Sequence, residues 1–395
     1  MDLDFSEEQT LLADAVNGYL TGAYDLDARR RAVASEAGWR PEVWKALAED
    51  LGVLGALIPE EAGGLGGGGV EAMIVMRAIG RSLALEPYLE TAVLGVGLLK
   101  RAGGERAEAL MTAIAEGQAV VAFAHEEAAG RHALLRVETT ARREGEGWRL
   151  DGAKAVVSAA PWASHLIVSA RTSGAATDES GIGLFLIDVA QASSRAGEGL
   201  SIRPYPTVDG RRAGEVAMDG LILPADALLT EDAFEAVIAP ALDEAVAAQC
   251  AEAVGVLSQL HDQTLDYVKQ RKQFGRPIGQ FQVLQHRLAD TFAAVELATS
   301  LTYMATLHLD APAAERARAA SAAKVGVARA LRFVGQAAVQ THGGIGMTDE
   351  LALSHYFKRA SVIEQQLGGV EPHLRRFIAL TEPSTLEPEG SLIDV

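Results

Sequence analysis

The sequence is short of cysteine, aromatic residues and positive charge. Its 395 residues include one cysteine, Cys250, so no intrachain disulfide can form and no thiolate cluster can hold a metal. That usage is expected of a reducing cytoplasm, the location this composition points to. Aromatic residues make up 5%, and 35 Lys and Arg face 53 Asp and Glu, a net charge of −18. Such an acidic chain lacks the basic surface that phosphate backbones require, so nucleic acid is not an expected partner. Long apolar runs are missing as well. The best stretch, residues 83–99, is broken by Glu86, Pro87 and Glu90 and falls short of the roughly 20 residues a membrane span needs. The opening Met1-Asp2-Leu3-Asp4-Phe5 is acidic where a secretory leader is basic, so no leader is expected. Histidines occur singly, without metal-ligand spacing, so no metal site is expected.

What is present is a globular balance, 49% hydrophobic and 22% charged, in a chain long enough for two or three structural units. Residues 1–118 read as helical. Ser6 and Gln9 form a capping-box signature, and Leu11, Leu12, Ala15, Val16, Tyr19 and Leu20 follow at helical spacing. Pro41 opens another helix carrying Val43, Trp44, Leu47 and Leu51. Six glycines crowd residues 63–69. A helical segment precedes them and no phosphate-loop lysine follows, so they read as a connection between helices.

Residues 119–229 change character. Short strands at 119–124, 137–141, 148–150, 154–158, 165–171 and 182–188, with a hairpin turn at 144–147, predict an antiparallel barrel or sandwich ending near Pro224. Residues 230–383 return to helix. Three apolar stripes predict a bundle: Leu242, Val246, Cys250, Val254, Leu257 and Leu260; Phe281, Leu284, Leu288, Phe292, Val295 and Leu301; and Val325, Leu331, Val334 and Ala338. Residues 384–395 form a loose tail. The fold class is α+β, with a helical unit, a β unit and a helical bundle in that order.

Two segments carry chemistry. In Tyr267-Val268-Lys269-Gln270-Arg271-Lys272-Gln273-Phe274-Gly275-Arg276, four cations fall within eight residues of a very acidic chain. They make either a solvated helix end matched to the macrodipole or an anion clamp for a pyrophosphate, with Phe274 as an apolar surface. In Gln340-Thr341-His342-Gly343-Gly344-Ile345-Gly346, one glycine would suffice for a helix C-cap. Three suggest that something approaches the backbone closely.

In this order and 69 positions apart, counted from Arg271 to Gln340, the two segments resemble those of the flavin-dependent acyl-CoA dehydrogenases. The resemblance extends to Pro59-Glu60-Glu61-Ala62-Gly63-Gly64-Leu65-Gly66 and to Phe357-Lys358-Arg359-Ala360, and covers nearly the whole chain. It is nearest to the family's small-subunit group, typified by that of pimeloyl-CoA dehydrogenase.

The resemblance implies FAD at a subunit interface. One chain holds the isoalloxazine and its neighbour grips the ADP half. Arg271, Gln273 and Phe274 match the positions that reach the neighbour's pyrophosphate and ring region, and Gln340, Gly343 and Gly344 match those that approach the adenosine diphosphate. The chain's own ring site departs from the pattern. His125 to His132 stand where the family has Thr-Glu-Pro-x-Ala-Gly-Ser-Asp, and Val156-Val157-Ser158 stand for Trp-Ile-Thr. Ser158 keeps the hydroxyl and Val156 loses the aromatic plane. Leu367 occupies the usual position of the carboxylate base and offers only its backbone N–H.

The family's alternative base position is Ala245, which makes the adjacent Glu244 the candidate base. A structural reading of Glu244 as a helix-dipole acid stands beside that, and Glu364 is a weaker candidate. Glu252 reads as an acid at the core edge. The implied reaction is α,β-dehydrogenation of an acyl-CoA thioester to the trans-2-enoyl-CoA, with hydride transfer to flavin N5. The substrate class is bulky or dicarboxylic esters of fatty acid, steroid or dicarboxylate catabolism. The implied partners are an electron-transfer flavoprotein and either copies of the chain, as homodimer or homotetramer, or a related dehydrogenase subunit in a heterotetramer. The alternatives are a non-catalytic or half-site subunit of a heteromer and a flavin-dependent oxidase or monooxygenase on the same fold.

Overall fold

In the computed structural model, residues 5–130, 132–193 and 199–381 are described; Arg131 and the tail expected at 384–395 lie outside the described residues. Helix α1 (Glu7–Ala23) starts at the anticipated box: the Ser6 hydroxyl accepts from the Gln9 N–H at 3.2 Å, and the Gln9 side chain accepts from the Ser6 N–H at 3.1 Å. Its buried face is narrower than its apolar pattern, with Val16 and Leu20 fully buried and Leu11 exposed. Helices α2 (Leu26–Ala34), α3 (Pro41–Glu49) and α4 (Gly69–Ser82) follow.

Between α3 and α4, the glycine segment turns its N–H groups inward. Gly64, Leu65, Gly66 and Gly67 donate to the carbonyls of Pro59, Gly55, Ile58 and Ala56. A Cβ on Gly64 would sit 2.1 Å from the Ile58 carbonyl oxygen, so only glycine fits there. With its donors spent internally, the loop cannot cradle a phosphate. A π-helical stretch, Leu89–Gly95, then leads into α5 (Val96–Ala102) and α6 (Glu105–Ala115).

The β unit comprises β1 (Val121–Ala124), β2 (Thr140–Glu144), β3 (Gly147–Ser158), β4 (His165–Arg171) and β5 (Ile182–Asp188), then short α7 (Val189–Ser193), β6 (Gly199–Pro206), β7 (Arg212–Leu223) and β8 (Leu228–Thr230). The expected strands at 148–150 and 154–158 are one strand, kinked by register shifts at Leu150/Gly152 and Lys154/Val157. The hairpin is present, with Glu144 paired to Gly147 across Gly145 at φ 60°. Sheet order is β6-β7-β3-β2-β4-β5-β8, with β1 on β4. The sheet is not wholly antiparallel: β1 runs parallel to β4, and β2 meets β4 in parallel at Thr140 and Arg171. Strands β6 and β7 fall outside the expected set; no β6 residue is fully buried, and its apolar alternation ends after Leu200 and Ile202.

Among the described residues, five helices follow: α8 (Ala239–Gln270), α9 (Gln282–Leu307), α10 (Ala313–His342), α11 (Ala352–Gln365) and α12 (Val370–Thr381). The α8 and α10 stripes are buried as expected. The α9 stripe is not: Val295 is buried, whereas Phe292, with Val283 and Leu297, faces outward.

A buried ionic cluster ties the three parts together. Arg359 on α11 grips Glu252 on α8 with two bonds, of 2.8 and 2.7 Å, and Asp209 before β7 at 2.7 Å. Arg211 bonds Glu252 and the Ala84 carbonyl, both at 2.9 Å. Arg29 on α2 reaches the Asp209 and Leu83 carbonyls. Glu252 is thus not at the core edge, being 1% exposed and fully engaged. Such a cluster fixes relative placement more than it adds net stability, because each charge was desolvated to form it.

Candidate cofactor and active site

Helix α8 ends at Gln270, and the next residues form a miniature hairpin of β9 (Lys272–Gln273) and β10 (Arg276–Pro277). Its two-residue turn places Phe274 at φ 53° and Gly275 at φ 81°. A bulky residue in the left-handed region is an outlier that the surroundings must impose, and it directs this ring outward, 91% exposed. Lys269 pairs with Asp266 at 3.7 Å, and the Arg276 guanidinium lies 4.2 Å over Phe281. The side chains of Arg271 and Lys272 have no partner among the described residues, and Arg271 and Gln273 are exposed.

The second segment ends α10. Gly343 takes φ 69° and its N–H caps onto Val339. A Cβ added at Gly343 or Gly344 would meet nothing within 4 Å, and both are exposed, as is Gln340. The left-handed cap explains the glycine at 343, and the chain itself leaves the space beside both glycines open. The His342 ring stacks on Tyr267 at 4.1 Å, tying the two segments side by side. His342 itself is 7% exposed, its Nδ1 on the Ala338 carbonyl, and burial lowers its pKa. It braces the clamp from behind.

The ring side is different. Val156 takes φ 53° in the β3 bulge and points outward. Ser158 is met by the Gln366 side-chain amide at 3.4 Å, which lies equally 3.4 Å from Glu90. The space left there is about 30 Å³, roughly one water. The buried Glu90 Oε2 and Gln366 Oε1 have no partner among the described residues. The open clamp fits the diphosphate end of FAD; the gap beside Ser158 does not fit an isoalloxazine.

The candidate base fares no better. Both Glu244 oxygens are taken by the Arg101 guanidinium at 2.9 and 2.6 Å, with Lys100 at 3.3 Å, all on α5. Burial opposes its charge, but these cations outweigh burial and hold its pKa below the ordinary carboxylate value. A chelated carboxylate held below its ordinary pKa is poorly poised to take a proton from a carbon acid. The neighbouring Asp243 is buried between Arg316 at 3.2 Å and Arg376 at 2.5 Å. Glu364 pairs with Arg332 and Gln365.

Leu367 sits at φ 59°, its carbonyl accepting from His373 Nε2 at 2.8 Å. Its N–H has no partner among the described residues. Lys324, buried and lowered to a pKa of about 8 by desolvation, steadies this loop through Gln249 at 2.6 Å and the Ile363 and Gln366 carbonyls at 2.6 and 2.7 Å. Sequence reasoning missed Glu90, Gln366 and Lys324. Glu86 and Glu90 were visible only as interruptions of an apolar run.

Three family models cover almost all of the chain: acyl-CoA dehydrogenase N-terminal domain at residues 6–118, middle domain at 122–221 and C-terminal domain at 235–380. Acyl-CoA dehydrogenase FadE12 of Mycobacterium tuberculosis is 32% identical over 94% of this chain and 94% of its own length. Acyl-CoA dehydrogenase IpdE2 of Mycolicibacterium smegmatis is 29% identical over 95% of this chain and 99% of its own. Among solved structures, a single-site variant of the Tcur3481-Tcur3483 steroid ACAD is 31% identical, with a TM-score of 0.84 over 95% of this chain and 98% of that one. A chain of the ChsE4-ChsE5 complex from Mycobacterium tuberculosis is 26% identical, with a TM-score of 0.85 over 97% and 100%.

Proposed function

The chain belongs to the acyl-CoA dehydrogenase family of FAD-dependent oxidoreductases acting on CH–CH groups, and from that premise we propose that it is the half-site subunit of a heteromeric enzyme. It lends the clamp to a flavin whose ring lies in a related partner chain. The observation carrying this is a contrast within one molecule: the clamp is open and unpaired, whereas both base positions hold apolar side chains and the neighbouring Glu244 is chelated.

In this reading Arg271 and Lys272 neutralise the diphosphate, Gln273 supplies a neutral donor, and Phe274 excludes water from one side. Gln340 and the bare backbone of Gly343 and Gly344 let the nucleotide lie close. When bound, the flavin would supply the acceptor for hydride from the β-carbon of the acyl thioester. The α-proton goes to a carboxylate of the partner, and the Leu367 N–H of this chain stays idle. The partner class is supported by likeness to the ChsE4-ChsE5 complex, and a bulky acyl-CoA substrate by likeness to the steroid ACAD.

The test is the flavin spectrum. The chain purified alone is expected to be colourless, and the complex with its related dehydrogenase chain to carry flavin that Arg271→Met weakens at least tenfold. Flavin bound one per chain in the isolated protein, and bleached by an acyl-CoA, would overturn the reading.

A further inference from the structure

A sizeable cavity among the described residues lies far from the clamp. It is a half-open cleft of about 360 Å³ where α1, α4, α8 and α9 meet. Its walls are apolar: Met73 and Ile74 from α4, Ala251 and Val254 from α8, and Tyr303 from α9 near Phe5, the last two rings 6.3 Å apart. Arg77 and Arg81 also line it, one turn apart on α4 and so on one face. Neither guanidinium has a hydrogen bond or ion pair among the described residues. No Asp or Glu lines the cleft, although Asp and Glu outnumber Lys and Arg by 53 to 35 in the chain. Two bare cations beside a mainly apolar cleft within an acidic protein therefore attract a negative head with an apolar body.

We propose that this cleft binds a medium-chain carboxylate, the two arginines taking the carboxylate and the apolar walls taking the chain. At roughly 30 Å³ per heavy atom the space accepts about 12 of them, the size of decanoate. The hydroxyls of Thr299 and Thr302 are spent on their own helix, bonding Val295 at 2.9 Å and Ala298 at 2.8 Å, so they offer the chain an apolar face. Nothing in the clamp or the base positions enters this argument, and the cleft stands or falls separately from them.

Calorimetric titration of the full chain with decanoate and, in parallel, with decanol tests it. Decanoate is expected to bind one per chain, and Arg77→Met/Arg81→Met to weaken it at least tenfold while leaving decanol unchanged. Ala13→Trp, placed at the half-buried rim of the cleft on α1, is expected to block both ligands. Circular dichroism would verify that each variant folds. Absence of decanoate binding to the wild type, equal binding to the arginine double variant, or undiminished binding to Ala13→Trp would each overturn the proposal.

Discussion

Arg359→Met probes how the three parts are joined. Arg359 is 2% exposed and makes three charge-assisted bonds, two to Glu252 and one to Asp209. Burial opposes its charge, yet those two carboxylates hold its pKa above the ordinary guanidinium value. Methionine keeps most of the stem volume and removes the charge. Glu252 then retains only Arg211, at 2.9 Å, and Asp209 keeps only Thr207 and the Arg211 N–H.

Breaking a buried pair from one side costs about 3–5 kcal/mol. Unfolding entropy at about 2.1 cal/mol/K per residue gives about 0.8 kcal/mol/K for 395 residues, so the midpoint should fall by about 4–6 °C. Differential scanning calorimetry reads this directly. Because the cost comes from stranded carboxylates, Arg359→Met/Glu252→Met should be less destabilised than Arg359→Met alone. A single variant within about 1 °C of wild type, or a double variant worse than the single, would refute the reasoning.

Glu86 governs a pH dependence. Its Oε1 accepts from Tyr24 at 2.6 Å, its Oε2 has no partner among the described residues, and burial raises its pKa from 4.5 to about 7. Between those values the folded state holds a proton that the unfolded chain has released. Stability from this group is therefore full below about pH 4.5 and lost as pH rises through about 7, by about 3 kcal/mol. Buried His125 and His373, lowered to about 3 and about 4, act in the opposite direction. Urea midpoints of wild type and Glu86→Gln, compared from about pH 5 to about pH 8, isolate the Glu86 contribution; a pH-independent difference would contradict it. Glu244→Gln, assayed in the flavin-loaded complex, should leave turnover within about twofold while lowering stability by about 1–3 kcal/mol, because it loosens Arg101 and Lys100; loss of turnover at unchanged stability would restore Glu244 as the base.

Local chemistry was legible where one segment decides the outcome. The Ser6–Gln9 box, the Pro41 start, the turn at Gly145 and the α8 and α10 stripes follow from short-range patterns. What stayed hidden depends on partners distant in the chain. Glu252 reads as any helical acid until Arg359, 107 residues later, and Arg211 close on it. Glu244 reads as a base until Arg101 arrives from α5. Strand β6 pairs along its whole length with β7, yet its apolar alternation stops after Leu200 and Ile202, because it lies at a sheet edge and none of its residues is fully buried. The α9 stripe misleads for a related reason: a helical period marks an apolar face but cannot say whether the same chain covers it.

The most direct test of the central claim is a solved structure of this chain assembled with its related dehydrogenase subunit and FAD. The account predicts the Arg271 guanidinium within hydrogen-bond distance of the diphosphate, the nucleotide running past Gly343 and Gly344, and the isoalloxazine against the partner's strand. A ring lodged beside Ser158 of this chain, or a clamp closed by side chains with no nucleotide in it, would contradict the account.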